Sequence, residues 1–298
     1  MPKRALRRAL TAALTALCTA ALGLAAPASA QAAAQAADDG PLEYVALGDS
    51  YSAGSGVLPA DSTAPLLCFR SGASYPKVIA DRIGAELTDV TCGAAQTRHF
   101  ASSQYPGVAP QLDALGPETD LVTLTIGGND NNTFIGAILA CGSAGILTAG
   151  HGSPCKHLYG STFDDQVEAQ TYPAVKAALE AVRAEAPNAR VAVLGYPWIL
   201  PATADPSCFL KMPVASGDVP YLRALQAHLN AVIERAAEET GAVFVDLSQV
   251  SEGHDACRPR GTRWIEPVLF GTSLIPVHPN ALGQNRMAQE ALTALGLG

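Results

Sequence analysis

The sequence predicts a doubly wound α/β domain: a central, mostly parallel five-stranded sheet with helices on both faces. Two observations predict it. Five short runs rich in Val, Leu, Thr and Ile, each bounded by Gly, Pro or Asp, fall at 43–47, 86–91, 120–126, 190–195 and 242–247. Amphipathic patterns lie between them, and strands separated by helices pair in parallel and are covered on both faces. A third observation bears on function. The residues able to do chemistry cluster just past the ends of these runs, where open α/β sheets bind their ligands.

The elements follow in chain order. Lys3, Arg4, Arg7 and Arg8 precede an Ala/Leu-rich stretch and the small-residue site Ala28-Ser29-Ala30, so residues 1–30 read as a secretory signal peptide. Its Ala/Thr content makes a weak spanning segment, and no later run approaches the ~20 apolar residues a membrane helix needs. Leu17 stands before Cys18 where a small residue would be expected, which argues against a lipid anchor. Residues 31–41 read as a flexible leader and 42–298 as a single domain. Within it, helices are predicted at 74–83, around Val175, Leu179 and Val182 before Pro187, at 219–239 and at 281–295. The stripe Leu222, Leu225, Leu229, Val232, Ile233 and Ala236 belongs in the core. The segments 136–164 and 196–218 read as long loop-like insertions that wall a cleft. They carry Ile138, Leu139, Ile146, Leu147, Trp198, Ile199, Leu200 and Phe209.

Charge narrows the partners. The chain carries −8, and loss of the four cations of the signal takes it to −12. That balance disfavours nucleic acid and anionic membranes. A lipid or ester substrate, no stable membrane anchor, a monomer and an extracellular location are expected. Without Cys18 there are six cysteines, Cys68, Cys92, Cys141, Cys155, Cys208 and Cys257, an even count that favours three disulfides in an exported chain. Joining sequence neighbours is the simplest of the 15 connectivities, and the sequence leaves the choice open. Close pairs such as C-x-x-C are absent, so no metal site is expected.

Four blocks carry the chemistry. Ser50 lies in GDSYS after the first run, Gly93 in TCGAAQT after the second, Asn129 in IGGND after the third, and His278 in VHPNALG before the last helix. Ser50 has the chemistry of a nucleophile and His278 that of its base. The Ser50 and Gly93 N–H groups and the Asn129 amide can form an oxyanion hole. Taken singly, each residue has a plainer reading: Ser50 as a turn residue, Gly93 as a positive-φ glycine, Asp49 as a turn acceptor and Asp130 as a helix cap. His254 reads as structural, and His99, His151, His157 and His228 as solvent-facing. G-x-S-x-G, H-E-x-x-H and phosphate-loop motifs are absent, and no cofactor is implied.

The ordered set Ser, Gly, Asn, His resembles the SGNH (GDSL) hydrolase superfamily, and LTIGGND, GHDAC, RWIEP and VHPNALG are similar to the secreted streptomycete members. The resemblance implies a flavodoxin-like three-layer α/β/α fold and a serine lipase/carboxylesterase acting on acylglycerols and related esters. It also implies the neighbour pattern of disulfides. Many members place Asp three residues before the histidine; Ile275 stands there, and no acid occurs between Glu266 and Glu290. The resemblance instead assigns a backbone carbonyl to orient His278, that of Pro276 with Ile275 as runner-up. A phospholipase A1 or another acyl hydrolase on the same residues is the enzymatic rival. A secreted binding protein without turnover is the rival of another class. Since His278 must be neutral to act as base, activity is expected to rise with pH near ~6.5.

Overall fold

The computed structural model describes residues 40–298; the expected signal peptide and all but the end of the expected leader lie outside them. Residues Pro41–Gly298 form one compact unit. Its centre is a five-stranded sheet in the order β2-β1-β3-β4-β5, with every pairing parallel. The strands are β1 Glu43–Gly48, β2 Glu86–Asp89, β3 Leu121–Thr125, β4 Arg190–Leu194 and β5 Val243–Val245. β1, β3 and β4 are almost wholly buried, which explains their unbroken apolar runs, while the outer β2 alternates.

The helices are α1 Ser50–Ala53, α2 Tyr75–Ile83, α3 Thr133–Leu147, α4 Pro154–Tyr159, α5 Thr162–Gln166, α6 Tyr172–Glu185, α7 Val219–Thr240 and α8 Ala281–Leu295. The stripe predicted on 219–239 is buried along α7. Asn280 caps α8 by accepting from the Gly283 N–H at 3.1 Å.

One expectation is corrected. Residues 136–164 are mostly helical rather than loop-like, running through most of α3, all of α4 and into α5. α3 is apolar on nearly every side, so it lacks the polar face that marks a surface helix. Phe134, Ala137, Ile138 and Cys141 are buried, whereas Leu139, Ile146 and Leu147 are exposed. Its glycines also mislead. Gly145 sits against the backbone of 213–215, where a Cβ would fall 2.3 Å from the Pro213 carbonyl oxygen. Segment 196–218 does stay irregular apart from a turn at Pro206–Cys208. The disulfides join Cys68–Cys92, Cys141–Cys155 and Cys208–Cys257, the neighbour pattern.

Candidate active site

β1 ends at Gly48, whose φ of +117° places its α-carbon against the backbone of Thr125; a Cβ there would meet the Thr125 carbonyl oxygen at 2.5 Å. Only glycine permits that approach. Gln111 clamps the same residue from the far side. Its Oε1 accepts from the Gly48 N–H at 2.7 Å and its Nε2 donates to the Gly48 carbonyl at 3.1 Å. The chain then turns sharply, and Asp49 caps α1 by accepting from the Tyr51 N–H at 2.8 Å. Ser50 is the first residue of that helical turn and is buried.

Burial raises the Asp49 carboxyl to about 7, against the opposing hydrogen bond from Tyr196. The Tyr196 hydroxyl donates to Asp49 at 2.5 Å and accepts from the Gly128 N–H at 2.8 Å. Asp49 is therefore a structural acceptor between two strand ends, and it makes no bond to His278.

His278 arrives from the opposite direction. The Ser50 hydroxyl donates to its Nε2 at 2.7 Å, and its Nδ1–H donates to the Pro276 carbonyl at 2.7 Å. A carbonyl can only accept, so the proton of the neutral ring sits on Nδ1 and the Nε2 lone pair faces Ser50. Among the described residues no carboxylate bonds the ring. Glu266 turns its side chain to Arg263, Asn280 and the Thr272 N–H, which outweigh its burial and hold its carboxyl down at about 2. Asp255 bonds Arg258 and the Cys257 N–H, and Asp246 bonds Ser248. Burial pushes the His278 ring below the ordinary histidine value, with the Pro276 carbonyl opposing. The rise of activity expected near ~6.5 therefore moves to lower pH.

The oxyanion side needs a correction. The Gly93 N–H donates to the Cys68 carbonyl at 2.8 Å, so that donor is taken. The Cys68–Cys92 link that ties the two segments is what brings this acceptor to it. Packing at Gly93 is tight, since a Cβ would lie 3.1 Å from the Cys68 oxygen. The next N–H, that of Ala94, has no acceptor among the described residues, and Ala94 takes the left-handed φ of +61°. The Gly93 carbonyl accepts from Gln104 Nε2 at 2.7 Å, and a trans peptide directs the Ala94 N–H the opposite way.

Asn129 donates through Nδ2 to the Ala95 carbonyl at 3.2 Å, which leaves its second amide hydrogen for a ligand. Asp130 is not a helix cap: its Oδ1 accepts from the Thr97 N–H at 2.8 Å, binding the 94–97 loop to the end of β3. Burial raises its carboxyl to about 6.

Beside Ser50 and His278 lies a cavity of about 330 Å³ lined by Ile135, Ile138, Leu139 and Ile146 of α3, by Ile199, Met212 and Val214, and by Val268. Neither Lys nor Arg lines it. Both segments expected to wall a cleft contribute. Trp198, Leu147, Leu200 and Phe209 do not line it: Trp198 packs under the Arg223 guanidinium and Leu147 faces solvent. His254 stacks on Trp264, as its structural reading implied, and His228 bridges Asp164 and Glu168. Among the described residues no group of His, Cys, Asp and Glu could hold a metal ion. Gln111, Tyr196 and Gln104 carry no motif, and Tyr51 lies within the GDSYS block without a role assigned to it from the sequence.

Residues 46–286, from the middle of β1 into α8, match the model of the GDSL-like Lipase/Acylhydrolase family. The chain belongs to this family. It is a lipase/esterase, a carboxylic ester hydrolase. Lipase 2 of Streptomyces coelicolor is 73% identical over 256 residues, 86% of each chain. A lipase of Streptomyces rimosus is 33% identical over 250 residues, 82% of this chain and 83% of the other. The crystal structure of the extracellular lipase from S. rimosus matches with a TM-score of 0.69 at 28% identity, covering 86% of this chain and 98% of that one. The structure of phospholipase A1 from Streptomyces albidoflavus matches with a TM-score of 0.68 at 28% identity, covering 85% and 97%. The five-stranded parallel sheet of this GDSL-like hydrolase is thus that of the SGNH hydrolase fold.

Proposed function

We propose that the protein is an extracellular serine lipase/carboxylesterase that hydrolyses neutral acyl esters through an acyl-enzyme on Ser50, with His278 as general base. The single observation that carries this reading is the pair of 2.7 Å bonds on His278, which fix one tautomer and aim its lone pair at the Ser50 hydroxyl. Nε2 takes the hydroxyl proton as Oγ attacks the ester carbonyl, and the imidazolium then gives that proton to the departing alkoxide. Water attacks the acyl-enzyme in the reverse sense and frees the acid and Ser50. The donors to the tetrahedral oxyanion are the N–H groups of Ser50 and Ala94 and the amide of Asn129. Ala94 replaces Gly93 because the Gly93 N–H is already bonded.

The wall of the cleft favours an uncharged lipid. Its lining is almost entirely apolar, with no cation to pair with a phosphate. Action outside the cell is supported by the three disulfides and by the signal-like first 30 residues.

The test is release of nitrophenol from a chain-length series of esters, with Ser50→Ala as control, followed by triacylglycerol against phosphatidylcholine. Loss of turnover in Ser50→Ala and preference for the neutral lipid are expected. An active Ser50→Ala would overturn the mechanism, and a preference for phosphatidylcholine would overturn the substrate class.

A further inference from the structure

The turn that presents His278 has an unusual residue at its centre. Pro276 reaches the ring of His278, only two residues on, because Val277 between them adopts φ +62°. A β-branched side chain avoids the left-handed region, where Cβ crowds the neighbouring carbonyl. Such a conformation persists only when the surroundings over-determine it.

Three bonds converge on this residue and its neighbour. The Val277 N–H donates to the Glu266 carbonyl at 2.8 Å, and the Glu266 N–H donates to the His278 carbonyl at 2.9 Å. The third comes from outside the loop: the Tyr51 hydroxyl donates to the Val277 carbonyl at 2.8 Å. Tyr51 is the residue after the nucleophile. Its backbone is fixed at both ends, by Asp49 on its N–H and by Gln284, which donates to its carbonyl at 3.0 Å. Its buried ring lies edge-on to Tyr196, with centroids 4.9 Å apart, and beside the His278 ring at 5.2 Å.

We propose that Tyr51 is a positioning residue for the base. Its hydroxyl holds the Val277 peptide in the left-handed turn that delivers the Pro276 carbonyl to Nδ1 of His278. The residue beside the nucleophile thereby supplies, through backbone, the orientation that a carboxylate gives in a triad. Serine and histidine are registered to each other through one side chain, so an error in the loop is corrected against α1 itself. This rests on the Ser50–His278 reading given above.

The experiment compares wild type, Ser50→Ala, Tyr51→Phe and Tyr51→Phe/Val277→Asn on a short nitrophenyl ester. Phenylalanine keeps the ring and removes only the strap. A fall in kcat of ~10- to 100-fold is expected, the scale of a small misplacement of a reacting group. KM should hold within about twofold, because phenylalanine keeps the ring that Tyr51 presents to the cavity. Asparagine tolerates the left-handed region, so the double variant should regain at least about fivefold in kcat over Tyr51→Phe. The low-field proton resonance of the His278 Nδ1–H should be present in wild type, lost or moved upfield in Tyr51→Phe, and restored in the double variant.

A Tyr51→Phe enzyme within about twofold of wild type, or one not rescued by asparagine, overturns the proposal. Should Tyr51→Phe not fold, tyrosine-labelled wild type decides. A slowly exchanging Tyr51 hydroxyl proton close in space to Val277 supports the strap, and a freely exchanging one overturns it. An inactive Ser50→Ala beside an unimpaired Tyr51→Phe removes the strap alone, whereas an active Ser50→Ala removes the dyad beneath it.

Discussion

Ser50 stands at the end of a buried central strand, in a turn closed by Gly48, capped by Asp49 and clamped by Gln111. His278 stands on a stretch that has neither strand nor helix between Val245 and Ala281, and its ring is held by a carbonyl two residues away. The first region is positioned by the sheet. The second is positioned by a web of loop hydrogen bonds around one left-handed valine, a conformation that costs on the order of 1–3 kcal/mol. A regular element carries its catalytic group at no extra conformational cost. An irregular one must be over-determined, and here Glu266, Tyr51, Ser273 and Asn280 all contribute bonds to it. The difference teaches that the position of the proposed nucleophile is a property of the fold, whereas that of the proposed base is a property of one loop and whatever braces it.

The comparison can be broken most severely at the base itself. His278→Ala is expected to lower kcat by about 10⁵-fold or more, since removal of one member of a nucleophile–base unit costs nearly the whole of its effect. Asn129→Ala, at the end of β3, should cost on the order of 10²- to 10³-fold, the worth of one oxyanion donor. Steady-state kinetics on folded protein, verified by circular dichroism, checks both. If Asn129→Ala cost as much as His278→Ala, the amide would be doing more than receiving charge.

Stability sharpens the contrast further. The Cys68–Cys92 bridge closes a segment of 24 residues beside the serine end, and its loss should cost about 3 kcal/mol on the chain-entropy account. A fall in Tm of at least roughly 6–12 °C is expected in reductant, which opens this bridge along with the other two, with activity declining as the Ala94 loop loosens. Unchanged melting with free thiols demonstrated would refute it.

The smaller effect lies in pH. Burial holds His278 below its ordinary value, and the base must be neutral, so kcat/KM should rise with pH through an apparent pKa below ~6.5 and stay high into mildly acidic buffer. A limb above that value would mean that a negative group faces the ring.

The sheet was legible because buried strands leave apolar runs and α7 and α8 keep an amphipathic period. The serine block was legible for the same reason, as a glycine turn after the first such run. α3 was not, because a helix that lines an apolar cavity on one side and faces solvent with Leu139, Ile146 and Leu147 has no polar face to betray it. The proposed oxyanion donor, the Ala94 N–H, lies one residue past the glycine that the sequence singles out, whose own N–H is bonded to Cys68. Glycine is the ordinary sign of a left-handed turn, yet the chain puts Gly93 where packing is tight and Ala94 where φ is positive. The missing acid at Ile275 was readable, and the family resemblance supplied a backbone carbonyl in its place. The braces were not: Tyr51, Gln111 and Gln104 act on residues 226, 63 and 11 positions away and leave no local pattern.

Among the described residues no carboxylate stands behind His278, and Glu266 is the acid whose backbone bonds the histidine loop. The decisive measurement is kcat of folded Glu266→Gln, which keeps the side-chain shape while removing the charge and exchanging one acceptor oxygen for an NH2 donor. Turnover within about tenfold of wild type is expected, whereas a loss near ~10⁴-fold in a folded enzyme would restore a triad and contradict the account.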